Sequence, residues 1–355
     1  MNKFYLTCLL GLFSYALAIA GNPDRQGEAG AAQLLLNPYA PSAGLHSLNT
    51  SSVSGVEAMR INIAGLGRVK KSEVLLGYAD YLSGTDLGLQ AVGFASKMGE
   101  SGTLGFSIMN IEFGDIPITT TNQPEGTGGD ISLSFINIGL GYSHVFENKV
   151  SVGVLLRLVN ESTADVGAFG FALDAGVQYF VGDNDEFKFG VSLRNIGSRM
   201  AYGGQGLSQQ VDNPDPRVND QLTLEFRAAT FEMPSVLNIG ASYDILADDR
   251  YDTDGDDHRL TLLANFTANS FSRDQIGGAI EYSFREQFTL RGGYRTDISD
   301  EEGIQPSLYN GLSAGATVAV PFSRQNRDAG FSVSYAYRQT NVYSGTHNFG
   351  LGFTF

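Results

Sequence analysis

From Ser72 to Phe355 the chain alternates apolar residues with small or polar ones at period two. In "KVSVGVLLRLV", Val150, Val152, Val154, Leu156 and Leu158 share one side, while Ser151, Gly153, Leu155 and Arg157 share the other. In "GFSVSYAYRQ", Phe331, Val333, Tyr335 and Tyr337 oppose Ser332, Ser334, Ala336 and Arg338. The chain ends the same way: in "HNFGLGFTF", Phe349, Leu351, Phe353 and Phe355 oppose Gly350, Gly352 and Thr354. Period two marks a strand with two unlike faces. A soluble sandwich also alternates. Here the polar face is rich in Gly and Ser with an occasional charge, and the apolar face carries aromatics near strand ends. Those are the faces of a transmembrane barrel, with lipid outside, a polar lumen inside and aromatic girdles at the interfaces. Strands cross lipid only when every backbone group is paired, which forces closure.

The pattern predicts fourteen strands, at 72–81, 85–96, 102–114, 130–146, 149–160, 165–181, 187–198, 235–246, 258–268, 274–284, 287–297, 311–322, 330–341 and 346–355. An even count fits a bacterial barrel, and most segments reach the roughly 9–11 residues that a tilted strand needs. The expected fold is therefore all-β, a 14-stranded antiparallel transmembrane β-barrel. Connections alternate short and long, with long ones at 115–129, 199–234 and 297–310 on the expected outer side. The acidic insert "ADDRYDTDGDD" falls on the short-turn side. Within the largest loop, "QLTLEFRAATFEMP" itself alternates. It reads as a hairpin standing above the membrane, with a fifteenth strand as the alternative. A final strand that pairs with the first explains why the chain stops on an aromatic.

The two N-terminal segments do not alternate. "MNKFYLTCLLGLFSYALAIAGN" has Lys3, an apolar run from Phe4 to Ala20, and small-x-small spacing at Ala18-Ile19-Ala20. This is secretory signal-peptide anatomy over residues 1–20. It holds the chain's single cysteine, Cys8, so no disulfide framework is expected beyond it. Residues 21–71 mix short helical stretches with turns at Pro38 and Pro41. Fourteen strands enclose more lumen than strand side chains fill, so this segment is expected to lie inside the barrel, 72–355, as a plug.

Composition agrees. The 355 residues include 44 Gly, 16 Tyr and 23 Phe but no Trp. Mean hydropathy is −0.08, too low for a helical membrane protein. A net charge of −15 argues against nucleic acid as a partner. His46, His144, His258 and His347 are scattered with no metal or triad spacing. "DTDGDD" resembles a calcium loop, but aligning Gly255 with the loop glycine puts Arg250 at position 1 and Thr261 at position 12, where Asp and Glu belong. No catalytic residue, metal or cofactor is assigned, and no enzyme activity is expected. Two sets of side chains stand out. Arg157, Asp174, Arg194, Arg259, Glu281, Arg291, Arg295 and Arg338, with Asp244, fall on the inward phase, where charge must be paired or wetted. Tyr202, Leu207, Phe231, Met233, Ile304 and Tyr309 are apolar or aromatic residues in long loops, where such residues mark a partner surface or a self-packed lid.

"NPYAPSAGLHSLNTSSVSGVEAMRINIAGLGR", followed by "EVLLGYADYL", resembles the N-terminal signature of the PorV/PorQ family, within the wider FadL-like group of fourteen-stranded outer-membrane barrels. The group's "NPAGL"-type motif reads here Asn62-Ile63-Ala64-Gly65-Leu66, with Ile63 in place of proline. "FGVSLRNIGSRMAYGGQG" (189–206) and "MPSVLNIGASYDI" (233–245) resemble later strands of the family. The resemblance implies a bacterial outer-membrane location and a non-enzymatic accessory role in type IX secretion. The partners it implies are lipid, the secretion translocon and a cargo C-terminal signal domain. The other reading is a FadL-like channel for small hydrophobic or amphipathic solutes. An inward-charged lumen counts against a greasy tunnel, and a continuous apolar path would count for one.

Overall fold

A computed structural model describes residues 25–214, 217, 220–247, 258–298, 306–323 and 329–355. The leader, the "DTDGDD" run and Ile304 lie outside the described residues. Fourteen strands form one closed antiparallel barrel: Ser72–Tyr81, Leu87–Met98, Gly102–Glu112, Leu133–Val145, Val150–Thr163, Val166–Val181, Phe187–Gly197, Val236–Asp244, His258–Asn269, Gln275–Phe284, Phe288–Asp297, Gly311–Pro321, Gly330–Arg338 and Thr346–Thr354. Each strand pairs with its sequence neighbours. Closure comes from the last on the first, in register from Glu73↔Thr354 to Asp80↔His347. The Phe355 N–H still donates to the Ser72 carbonyl at 3.0 Å, so the terminal aromatic sits on a paired backbone.

Burial follows the predicted phase. Along Val150–Thr163 the residues from Ser151 to Glu161 alternate buried and exposed; Val154 and Leu156 face out while Leu155 and Arg157 face in. Phe146, Phe187, Phe288, Phe322, Phe331 and Phe355 are exposed at the short-turn rim, as an interfacial girdle requires. A closed fourteen-strand barrel with this apolar outer belt is a bacterial outer-membrane structure.

Two departures from simple alternation have local causes. Gln221–Glu225 pairs with Ser208–Asp212 in a separate two-stranded sheet, so the alternating stretch at 221–234 adds no wall strand. Between Val166–Val181 and Phe187–Gly197 the register shifts, with Leu173 opposite Ile196 but Ala175 opposite Leu193. Arg194 and Asn195 together oppose Asp174, which is a β-bulge. The bulge turns both side chains inward. Asp174 Oδ1 accepts from the Asn195 N–H at 2.7 Å, satisfying the donor that the bulge would otherwise orphan.

Candidate functional site

The inward face of the wall is the site, and residues 29–69 pack and hydrogen-bond against it. This segment contains the short helices Ala40–Gly44 and Ala58–Ile61 and the 3-10 turns Ala32–Leu35 and Ile63–Arg68. No helix here is long enough to stand alone, so the wall holds them. At the long-loop end Gly30 N–H donates to the Glu232 carbonyl at 3.0 Å. At the short-turn end Arg68 donates to Gln178 and the Lys149 carbonyl and lies over the Phe180 ring at 3.2 Å. Between the two, wall side chains bond the segment's backbone. Gln178 Nε2 donates to the Thr50 and Val53 carbonyls at 3.2 and 3.0 Å. Ser143 Oγ donates to Ala64 O at 2.9 Å, and Asn348 Nδ2 to Asn37 O and Pro38 O at 3.2 and 3.1 Å.

The inward glycines are the second half of this fit. A Cβ on Gly190 would stand 2.5 Å from Thr50 O, and one on Gly153 2.7 Å from Ile63 O. Backbone meets backbone at both places, which only glycine permits. The "NIAGL" motif also acquires a physical role. Asn62 Oδ1 caps the turn by accepting from Ala64 N–H at 3.2 Å, and its Nδ2 donates to Thr50 O and to Val177 O in the wall.

The inward charges divide into groups along the barrel. Arg157 ion-pairs with Asp174 at 2.8 Å and donates to Met59 O at 2.9 Å. Arg194 donates to Arg60 O, and Ser192 Oγ to Ile61 O at 2.7 Å. Three successive carbonyls at the end of helix Ala58–Ile61 thus find wall donors, the groups that a helix C-terminus leaves unpaired. Near the long-loop end Arg338 donates to Asn37 O at 2.9 Å and lies 4.0 Å from the Tyr309 ring centroid, while Arg295 reaches Tyr309 O. Buried His46 stands beside them. Burial first, then the charges of Arg295 and Arg338, push its pKa down to about 2. Nearer the short-turn end Glu281 takes Arg291 at 2.7 Å and Arg259 at 3.3 Å, and Lys188 pairs with Asp244 at 2.7 Å. Arg259 is the most exposed of this set. Glu57 accepts from Ser42 Oγ at 2.6 Å, and burial raises its pKa.

The loop residues turn inward more than out. Met233 is buried with Met200, Leu34, Ala31, Val159 and Ala172, and Tyr202 and Phe231 pack on that cluster with ring centroids 5.5 Å apart. Tyr202 OH donates to Glu161, whose other oxygen takes Gln33 at 2.7 Å. Burial, then that bond, raises the Tyr202 pKa. Tyr309 is buried over Arg338, and Leu207 is half-buried. Among the described residues of the 199–234 loop, the most exposed large apolar side chains are Leu222, Leu224 and Phe226, on and beside the projecting hairpin. Gln178, Ser143, Ser192 and Asn348 carry no motif that marks them in the sequence. Their signal was inward phase combined with hydrogen-bonding reach.

No protein-family model matches the chain, and no curated protein matches it. Solved structures do. The chain shares its fold with outer-membrane hydrocarbon channels. The Pseudomonas putida toluene transporter TodX aligns with TM-score 0.55 at 13% identity, over 90% of this chain and 99% of its own. The CymD monoaromatic hydrocarbon channel aligns with TM-score 0.54 at 15% identity, over 90% and 98%.

Proposed function

We propose that this protein is an outer-membrane channel of FadL-like architecture for a small amphipathic solute, with residues 29–69 as its plug. The observation that carries the reading is the match of fold along nearly the whole of both chains with the hydrocarbon channels. The lining differs from what a plain hydrocarbon needs. Arg157, Arg194, Arg295 and Arg338 bring polar donors to the interior, so a solute with one polar end fits better than toluene itself. The test is uptake of labelled toluene and of a labelled small aromatic alcohol by cells with and without the protein. Faster entry of the alcohol supports the reading. Entry of both at the same rate in the two strains rejects it.

An accessory role in type IX secretion is the second reading. One observation favours it: the hairpin formed by Ser208–Asp212 and Gln221–Glu225 stands outside the barrel with Leu222, Leu224 and Phe226 exposed. Apolar residues on a projecting element suit a protein partner. Recovery of secretion components with the wild-type protein from detergent-solubilised outer membranes, lost in Leu224→Ser with Phe226→Ser, would support it. Equal recovery with both proteins would remove the hairpin from the account.

A further inference from the structure

Inside the wall, the guanidinium groups of Arg157 and Arg194 meet the end of helix Ala58–Ile61, Arg60 on that helix lies within their field, and Asp174 is the carboxylate paired with Arg157. Arg157 spends its bonds on Asp174 and Met59 O. Arg194 spends its bond on Arg60 O. Arg60 itself finds little: its Nη2 meets Met109 Sδ, a weak acceptor. Its Nη1 makes no hydrogen bond among the described residues. Asn137 stands directly across from Met109 in register and, among the described residues, bonds neither its Nδ2 nor its Oδ1. Arg157 Nε and Arg194 Nε are likewise unbonded. Arg60 and Asn137 are 4% and 2% exposed. The next carboxylate along the wall, Glu161, has both oxygens engaged by Gln33 and Tyr202.

Buried N–H donors of guanidinium and amide type call for an acceptor, and buried positive charge calls for a negative one. Three guanidinium groups against one paired carboxylate leave an excess of two positive charges around the helix end, and Glu161 offsets part of it from a distance. The bulge that turns Arg194 and Asn195 inward together adds to this concentration, and bulges recur beside functional sites. We propose that Arg60 and Asn137 form a binding site for a small monovalent anion of halide size, held by Arg60 Nη1 and Asn137 Nδ2 in the field of Arg157 and Arg194. The close burial of every donor sets the size. The anion joins the helix Ala58–Ile61 to the wall strand Leu133–Val145, so its first effect is on how firmly the segment is seated. The site does not depend on whether the barrel carries a solute.

The test uses the full-length protein in detergent. Crystals soaked in sodium bromide should show an anomalous peak between Arg60 and Asn137. In solution the unfolding midpoint, read from heat-modified mobility, should rise saturably with bromide and not with gluconate at equal ionic strength. Arg60→Met and Asn137→Leu should each lose that rise. If Arg60→Met does not assemble, Asn137→Leu decides, since it removes no charge. No peak at these donors, or an undiminished bromide response in a folded variant, overturns the proposal.

Discussion

Leu155 and Leu156 are neighbours in the chain and occupy different solvents. Leu156 lies on the exposed lipid face, while Leu155 is fully buried in the cluster with Met59, Ile63 and Leu66. Leu156→Arg should cost about 2–4 kcal/mol near mid-membrane, and Leu155→Ala about 2–5 kcal/mol through the cavity it leaves. Unfolding in urea reads both, and a neutral Leu156→Arg would mean that the strand's phase is misassigned. The phase was legible from sequence. The packing on Leu155 was not, because alternation says which way a side chain points and nothing about what meets it there. His46 makes a second prediction. Its proton affinity is depressed when folded and ordinary when unfolded, so the unfolded chain gains a proton below about pH 6.5 that the folded one refuses. Its contribution is whole above that pH and is lost as pH falls, which makes stability rise with pH through this window. His46→Asn, which tolerates the positive φ of 55° there, should flatten the slope of unfolding midpoint against pH between about 5 and 7. An unchanged slope would mean that His46 is not held neutral.

At the scale of the element, Gly190 decides how the segment 29–69 sits. Gly190→Val would force Thr50 and Ser51 away from the wall and strain the bonds from Gln178 to Thr50 O and Val53 O. The expected outcome is a folded barrel with a lower unfolding midpoint and larger conductance in planar bilayers than wild type. Equal conductance would show that the segment's seat does not control the path. In sequence, Gly153 reads only as part of a small, polar strand face, and Gly190 carries no signal of its own. Their real constraint is a backbone on the other side, which a period-two pattern in one strand cannot reveal. The loop hairpin was legible only in its second strand, Gln221–Glu225; its partner, Ser208–Asp212, lies outside the alternating stretch 221–234. The bulge at Asp174 was not legible. One extra residue breaks phase only across the pair of strands, and each strand read alone still looks regular.

For the whole molecule, closure rests on the final strand. Deleting residues 350–355 removes the pairings from Gly77↔Gly350 through Glu73↔Thr354 and leaves one side of the wall with unpaired backbone facing lipid, which is not tolerated there. The truncated chain should fail to reach the membrane in heat-modifiable form, and normal assembly would contradict this account of the terminus. The strand count and closure were legible because each strand carries its own pattern. The course of the segment 29–69 along the wall was not, because its path is set by contacts with many strands at once.

That segment is fastened at both rims. At one, Arg25 pairs with Glu28 and Glu232, Glu232 also takes Arg199, and the backbone bridges from Gly30 to Glu232. At the other, the chain runs straight from Arg68 into the first strand. A door needs one free edge, and this segment behaves as a rope made fast at both ends. Passage past it would come from slack taken up along its length, turn by turn, rather than from a swing outward.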